Sequence, residues 1–249
     1  MNAALPATPE LRAAFAPTGV LRASINLGNP ILAHRDPGNG GPAGVSVDLA
    51  RALAGALGVG VEWHVFEKAA ASVEAVRGEQ ADIGFFAVDP ARSEGLSFSA
   101  PYVLIEGSYM VPAAAPLLEN EAVDRAGTRV AVGQGGAYDL FLTRELKAAT
   151  IVRVAGAAGV VQALRAGKVE VAAGIRQVLQ AQAAAAPGAW RMLPGRFMVI
   201  QQAMGLPASR GATAGRALLE FVETMKSTHF VAEALARHHV QGAVEAPAA

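Results

Sequence analysis

One arginine, Arg92, follows a strongly apolar segment and is well placed to bind an anion. The segment Ile83–Val88 is too apolar to face water on either side, which is typical of a buried parallel strand. The pair Asp89-Pro90 then ends it. Because open α/β sheets bind ligands beyond the carboxyl ends of their strands, we expect a ligand at Arg92. Its planar guanidinium group suits a carboxylate. The alternative is a surface arginine at the end of a helical turn.

The glycine-rich segment Gln134–Tyr138 is a second candidate anion site. It lies between a predicted strand and a helix predicted to begin near Ala137. Free backbone N–H groups at a helix start bind anions without any side chain, and glycines let that backbone approach closely. No Gly-Lys-Ser/Thr follows, and the glycine spacing does not fit a dinucleotide-binding loop. The alternative is an ordinary strand-to-helix turn.

The composition excludes several classes of function. Lysine and arginine total 21, equal to aspartate and glutamate, so no net charge favours nucleic acid or an anionic membrane. The 249 residues include no cysteine, which removes disulfides, thiolate metal sites and cysteine nucleophiles. The five histidines show no metal-ligand spacing. We therefore expect no nucleic-acid partner, no metal and no cofactor.

The amino-terminal segment, residues 1–19, does not read as a secretory signal. It lacks a basic start followed by an apolar core, and prolines interrupt it. No segment of the sequence is apolar for the about 18–20 residues of a membrane span, so we expect no membrane insertion. Either an export signal has been removed, or the protein is cytoplasmic; the sequence leaves both open.

A weak internal repeat predicts two lobes of similar plan. Val73–Arg77 and Val161–Arg165 each have helical apolar spacing, and each is followed by a glycine and then by an acidic residue, Asp82 or Glu170, that opens an apolar segment. Each copy also has an upstream strand-like segment, at residues 21–25 or 128–132. Two β-α-β lobes follow from this pattern. The alternative is that alanine- and valine-rich helices resemble one another by composition alone.

The remaining elements suggest how the chain passes between the lobes. Phe98–Val111 has extended character and is predicted to cross from the first lobe to the second, and Arg196–Gly205 is predicted to return. The predicted lobes are residues 1–104 with 200–249, and residues 105–199. Further elements are predicted as a helix at Val47–Leu57, a strand at Val61–Phe66, helices at about 211–226 and 229–238, and a frayed tail from Gln241.

Six motifs in order carry a resemblance to a known family. They are LRxxIN, GVSVDLARALAxxLGV, ADIG with PAR, FSAPY, VAVGQGG and ALRAGKVE. Over about residues 20–240 the sequence resembles the extracellular solute-binding proteins of family 3, which are type II periplasmic binding proteins serving polar amino-acid ABC transporters. The resemblance implies an α/β fold of two Rossmann-like lobes joined by two hinge strands that close over a ligand. It also implies a periplasmic, monomeric, non-enzymatic protein with an ABC permease as partner.

The resemblance implies a set of ligand-binding residues. Arg92 matches the arginine that binds the ligand's α-carboxylate, and Asn26 and Asn29 lie on the loop after the first strand. Phe86 and Ala87 lie near hydroxyl positions of the family, although Phe85 and Phe86 alternate along a strand and at least one belongs to the core. The turn that donates hydrogen bonds to the carboxylate corresponds to Gly135, Gly136 and Ala137, flanked by Gln134 and Tyr138.

The sequence also departs from the family. Where the aspartate for the ligand's α-ammonium group is expected, Ile175 stands, and Arg176 follows it. A buried ammonium group without a carboxylate partner is costly. The ligand is therefore predicted to be an organic acid, aromatic or with a second anionic group near Arg176, rather than an ordinary zwitterionic amino acid. The turn has also lost the family's hydroxyls, and the segment from Asp82 to Arg92 is about two residues short.

Two alternatives remain at this stage. The same scaffold hosts a cyclohexadienyl dehydratase, which needs a general acid with a raised pKa; Glu67 and Glu106 are the candidates here. A cytoplasmic ligand sensor is the second alternative.

Overall fold

The computed structural model describes residues 7–249, so residues 1–6 of the segment tested for a signal lie outside it. The helices are α1 (Pro9–Phe15), α2 (Val45–Leu57), α3 (Ala69–Arg77), α4 (Pro90–Ser93), α5 (Ala137–Glu145), α6 (Gly156–Arg165), α7 (Arg176–Ala184), α8 (Gly211–Ser227) and α9 (Phe230–Arg237). The strands are β1 (Val20–Asn26), β2 (His34–Arg35), β3 (Pro42–Ala43), β4 (Gly60–Phe66), β5 (Ile83–Ala87), β6 (Leu96–Pro112), β7 (Arg129–Gly133), β8 (Thr150–Val154), β9 (Val171–Ile175), β10 (Trp190–Met192), β11 (Met198–Pro207) and β12 (Val244–Glu245).

The chain forms two compact units, each with its own core. The first unit comprises the described residues up to Leu104 together with Gln201–Ala249, and the second is Ile105–Ile200. Both boundaries fall inside long strands, β6 and β11. The chain therefore passes between the units in extended form at both crossings.

The sheet of the first unit has the order β4-β1-β5-β11. β1 is parallel to β4 and to β5, and β11 is antiparallel to β5. All five residues of β5 are buried, which confirms the prediction of a buried strand. Its second neighbour runs antiparallel, a detail that the apolar pattern does not specify.

Helix α2 shows how glycines fix the ends of an element in this unit. Gly44 precedes it with φ 119°, and a Cβ there would lie 2.4 Å from the carbonyl oxygen of Leu32, so only glycine fits. Gly58 ends the helix in the left-handed conformation, φ 68°. The helix is two residues longer at its start than the predicted Val47–Leu57.

The sheet of the second unit has the order β6-β9-β7-β8. β7 is parallel to both β8 and β9, and β9 is antiparallel to β6, with Gly107 opposite Ile175. Apolar side chains pack on both faces of this sheet, including Val130 and Val132 on one side and Ala131 and Ala172 on the other.

The two copies of the sequence repeat make the same contact in each unit. In the first, the backbone N–H and Nε of Arg22 both donate to Asp82 Oδ2, and Nη2 donates to Oδ1 at 2.6 Å. In the second, Arg129 donates through the same three groups to Glu170, with Nη2 to Oε1 at 2.7 Å. The repeat is therefore not only compositional: each copy ties the start of one strand to the start of its neighbour.

The carboxyl-terminal tail is ordered, so the predicted fraying from Gln241 is wrong. β12 pairs antiparallel with β6 at Val103 and Leu104, inside the first unit. Ala246 is 4% exposed, and the buried Lys226 donates from Nζ to the carbonyl oxygen of Pro247 at 2.7 Å. Backbone pairing and a buried cation hold a segment whose alanine-rich sequence gives no strand signal.

Candidate functional site

Arg92 lies just beyond the carboxyl end of β5 and is buried, with 5% of its surface exposed. The short helix α4 carries it; Asp89 caps this helix by accepting from the Ala91 N–H at 2.9 Å, as aspartate commonly does. Arg92 Nη1 donates to the carbonyl oxygen of Ala87 at 3.3 Å. Burial lowers the pKa of Arg92, and nearby Asp89 opposes that change. The alternative of a solvent-exposed arginine is wrong.

Ala87 connects Arg92 to the neighbouring strand. It is 3% exposed and lies opposite Gln202 of β11. Gln202 is itself buried, whereas Gln201 is exposed and accepts a backbone hydrogen bond from Val88. Arg92, Ala87 and Gln202 are therefore brought together at one end of the first unit's sheet.

The two predicted asparagines lie at the end of the adjacent strand. Asn26 is the last residue of β1, and its Oδ1 accepts from the Gly28 N–H at 2.9 Å. The backbone oxygen of Asn29 accepts from Leu32 and Ala33. Asn29 Oδ1 is buried and accepts no hydrogen bond from any residue that the structure describes. Since β1, β4 and β5 are parallel, their carboxyl ends share one edge, which carries these asparagines and Arg92.

Phe85 and Phe86 are both buried, at 6% and 2% exposure. Phe86 packs edge-on against Phe98 with ring centroids 6.4 Å apart, and its ring covers Gly84. The Phe86 side chain is thus part of the core of the first unit, and a ligand contact by this residue stays a prediction.

The glycine turn of the second unit uses most of its own amides. The N–H of Gln134 donates to Val154, that of Gly135 to Asp139 Oδ2 at 2.9 Å, and that of Gly136 to Gly133. Two of the three amides expected to donate to a carboxylate, those of Gly135 and Gly136, therefore already have acceptors within the turn and on the acidic side chain of Asp139. Ligand binding by this turn stays a prediction. Ala137 and Tyr138 open α5, and the first N–H groups of a helix have no acceptor inside it.

Tyr138 combines a packed ring with an unpaired hydroxyl. The ring is edge-on to Phe197 at 5.8 Å, and a Cβ added at Gly107 would lie 2.7 Å from its Cε1. The phenolic oxygen is buried and has no hydrogen-bond partner among the described residues. Burial raises the pKa of Tyr138, so its hydroxyl stays protonated and able to donate.

Arg176 forms an ion pair that sequence reasoning missed. Its Nη1 lies 2.6 Å from Glu106 Oε2, and Arg196 Nη1 lies 2.6 Å from Glu106 Oε1. Hydrogen bonds from Arg196 and then from Arg176 lower the pKa of Glu106. A general acid needs a raised pKa, so Glu106 does not suit the dehydratase role. Glu67, the other candidate acid, has a side chain 70% exposed and pairs with Arg35 at 3.2 Å.

A groove of about 410 Å³ lies elsewhere on the second unit. Its lining includes Tyr109, Phe141 and Phe197 together with Arg196, and none of the residues that the sequence predicts for ligand binding. Within residues 7–249, no group of three or more potential metal-binding side chains occurs. No helix in that range is long and apolar enough to span a bilayer.

The sequence matches the profile described as bacterial extracellular solute-binding proteins, family 3, over residues 27–186. That match covers more than half of the 249 residues. The chain belongs to this family. The resemblance given by the six motifs is thereby confirmed. No curated protein matches the sequence.

Solved structures of such proteins share the fold. The L-cysteine solute receptor of Neisseria gonorrhoeae is 23% identical, with a TM-score of 0.77 over 92% of this chain and 94% of its own. An amino-acid ABC transporter substrate-binding protein from Streptococcus pneumoniae, bound to L-arginine, is 16% identical, with a TM-score of 0.75 over 90% of this chain and 96% of its own.

The structure of an ancestral protein is also similar. It is described as an amino acid-binding precursor of cyclohexadienyl dehydratase, is 20% identical, and has a TM-score of 0.74 over 89% of this chain and 95% of its own. At such identities the likeness concerns the fold alone. The predicted α/β fold of a type II periplasmic binding protein is confirmed, and the ligand has to be argued from this chain's own residues.

Proposed function

We propose that this protein is a solute-binding protein that binds a small organic carboxylate through Arg92 and delivers it to an ABC permease. The buried guanidinium group at the carboxyl edge of β1, β4 and β5 carries this proposal. Ligands of open α/β sheets bind beyond that edge. A cation whose pKa is lowered by burial gains when an anion approaches, because the anion offsets part of the cost of its desolvation.

The surroundings of Arg92 suit a ligand with polar groups near its carboxylate. Asn29 Oδ1 is buried and unpaired within the described part of the chain, and an amide acceptor of this kind gains when a donor reaches it. The buried Gln202 lies beside Ala87 on the neighbouring strand. A hydroxyl or amide group of the ligand would form hydrogen bonds with these two side chains.

The end of β9 argues against an ordinary amino acid. Ile175 closes this strand, where members of the family carry the aspartate for an α-ammonium group, and the following Arg176 is a cation. An ammonium group buried there would lack a counter-charge at this position, which costs several kcal/mol. A carboxylic acid without the amine avoids this cost. A periplasmic location and a monomeric state are part of the same proposal.

The experiment is a calorimetric titration of organic acids against the full chain and its Arg92→Gln variant. A charge-assisted hydrogen bond contributes about 1.5–3 kcal/mol, so the variant should bind at least about tenfold more weakly. Arg92→Lys should recover only part of the affinity, because an ammonium group cannot form the bidentate pair.

Arg35→Gln is the matched control. Arg35 is in the same unit, its side chain is 59% exposed, and it pairs with the exposed Glu67, so its loss should leave affinity unchanged. Circular dichroism must show that the ligand-free Arg92 variants are folded. Undiminished affinity in a folded Arg92→Gln protein would place the carboxylate elsewhere and overturn the proposal.

A further inference from the structure

The groove on the second unit is lined by aromatic and acidic side chains. Its volume of about 410 Å³ lies within the range of small-molecule sites. Phe197 connects the aromatic part of the lining: its ring stacks on Tyr109 with centroids 4.4 Å apart and on Phe141 with centroids 6.1 Å apart. Tyr109 is buried, whereas Phe141 and Phe197 are half-buried. The two half-buried rings therefore give the groove an apolar, flat-sided wall.

The local structure explains why these side chains share one surface. Phe141 and Glu145 are four residues apart in α5, so they lie on the same face of that helix, one turn apart. The Phe197 N–H donates to the Gly107 carbonyl at 2.9 Å, which ties the segment before β11 to β6, the strand that contains Tyr109. Rings from a helix, a strand and a connecting segment are thus held together within one unit.

The polar part of the lining offers acceptors without donors. Glu121 and Glu145 are exposed, and their side chains form no ion pair or hydrogen bond within residues 7–249. Asn120 Nδ2 donates to the Pro194 carbonyl at 3.1 Å, which fixes the orientation of the amide. Asn120 Oδ1 is buried and accepts nothing from the described residues. Since a buried acceptor is costly until a donor reaches it, an occupant that carries donors would relieve an existing deficit.

The charge around the groove favours a cation. Arg196 is the basic member of the lining, but it pairs with Glu106 at 2.6 Å and shares that carboxylate with Arg176. With the two lining glutamates, three carboxylates and two guanidinium groups sum to about −1 at neutral pH. Burial first, and then the negative charge of Asp124, raise the pKa of Tyr109. The Asp124 carboxylate therefore also lies within electrostatic reach of the groove.

We propose that this groove binds a small organic cation with a flat apolar body, such as an arylalkylammonium ion, at a site separate from the one assigned to Arg92. Aromatic rings stack on the planar part of such a ligand and attract a cation over their faces. Its ammonium group brings three donors to the acceptors of the lining. Every lining residue belongs to the second unit, so the site requires no residue of the first.

The test compares tryptamine with tryptophol by calorimetric titration of the full chain. Both have an indole ring and a two-carbon chain, and only tryptamine ends in an ammonium group. The wild type should bind tryptamine at least about tenfold more tightly, because two ion pairs and a cation–π contact add to the stacking that both ligands share. In the double variant Glu121→Gln with Glu145→Gln, this preference should fall at least about threefold, while tryptophol affinity stays within about twofold of wild type.

The matched control removes two carboxylates of the same unit that lie outside the groove lining. It combines Glu119→Gln with Glu170→Gln; Glu119 is exposed, and the Glu170 side chain is 42% exposed. This control has the same change in net charge, and its preference for tryptamine should match that of the wild type. An equal loss of preference in the control would show a general effect of charge and overturn the proposal.

Phe141→Leu tests the aromatic wall. The substitution keeps an apolar side chain and removes the ring, so tryptamine affinity should fall at least about threefold. Thermal melts must show that the ligand-free variant is folded. Unchanged tryptamine affinity in the folded variant would place the ligand elsewhere and overturn the proposal.

The remaining outcomes separate this site from the one proposed at Arg92. Arg92→Gln should leave tryptamine affinity within about twofold of wild type, and a larger loss would place tryptamine at Arg92 and overturn the inference. No binding of tryptamine by the wild type, equal affinity for tryptophol, or an unchanged preference in the double glutamate variant would also overturn it. Since tryptamine carries no carboxylate, each of these failures leaves the proposed binding of an organic acid standing.

Discussion

The arginine–carboxylate contact that occurs in both units allows a test of how much burial adds to the stabilisation given by such a contact. Asp82 has a fully buried side chain and accepts hydrogen bonds from Arg22 and from Arg210. Glu170, in the matching position of the second unit, pairs with Arg129, and these two side chains are 42% and 45% exposed. An arginine–carboxylate pair at matching positions of the repeat is therefore buried in the first unit and exposed in the second.

Replacement of Asp82 by asparagine should be strongly destabilising. The asparagine keeps the shape, but the guanidinium groups of Arg22 and Arg210, which are 18% and 11% exposed, lose their anion. Breaking a buried ion pair in this way costs about 3–5 kcal/mol. Since Arg210 retains Glu79 at 3.2 Å, we expect the lower end, about 3 kcal/mol. Glu170→Gln should cause no resolvable loss, because solvent screens an exposed pair.

The assay is urea unfolding followed by tryptophan fluorescence. The sequence contains two tryptophans; Trp63 lies in β4 of the first unit and Trp190 in β10 of the second. Asp82→Asn is measured with Trp190→Phe, and Glu170→Gln with Trp63→Phe, so that each unit is followed by its own probe. With a urea slope of about 1–3 kcal/mol per molar, the first midpoint should fall by about 1–3 M.

Equal midpoint shifts for the two substitutions would refute this reasoning. So would an Asp82→Asn protein whose midpoint matches that of its Trp190→Phe parent. Either result would show that the buried carboxylate contributes no more than its exposed counterpart.

Three further predictions concern other parts of the chain. Gly84→Ala should destabilise the protein by about 1–3 kcal/mol, because the new methyl group would lie 2.1 Å from a ring carbon of Phe86. The control is Gly55→Ala, at an exposed helix position where no atom of the described residues lies within 4 Å of the new methyl group. In thermal melts this control should be as stable as the wild type or more stable. Deleting residues 243–249 should lower the free energy of unfolding by at least about 1–3 kcal/mol, since the buried Lys226 loses its carbonyl partner; an unchanged urea midpoint would contradict this. The pKa of Glu106 is lowered in the folded protein, so its contribution to stability is present above the ordinary carboxyl pKa of about 4.3 and is lost as the pH falls through the lowered pKa. The difference in thermal midpoint between the wild type and Glu106→Gln should therefore disappear in acid. A difference that stays constant with pH would contradict this prediction.

Features of the fold that depend on local pattern could be predicted from the sequence. The apolar run at β5 and the Asp-Pro that ends it specify the strand and the start of α4, and so place Arg92 just past a strand end. The repeat predicted two β-α-β patterns because glycine stops and apolar spacing act over a few residues. The burial of Arg92 itself depends on packing from distant segments, and residue spacing does not show it.

The pairing of side chains across the sheet could not be predicted in the same way. Glu106 and Arg176 are 70 positions apart, and only the register of β6 with β9 brings them together. For the glycine turn, a local signal did exist. Asp139 is the third residue of α5, a position from which acidic side chains commonly accept a hydrogen bond from a backbone N–H just before the helix. Here its carboxylate accepts from the Gly135 N–H.

The most direct test of ligand recognition compares each of several amino acids with its own deaminated acid. Titration calorimetry on the full chain would pair glutamate with glutarate and phenylalanine with 3-phenylpropionate, so that each pair differs only in the amine. Under the proposed function, in which Arg92 binds the acid group and Ile175 supplies no counter-charge, the deaminated acid of a binding pair should bind at least about tenfold more tightly. Tighter binding of the amino acid in every pair would contradict the account.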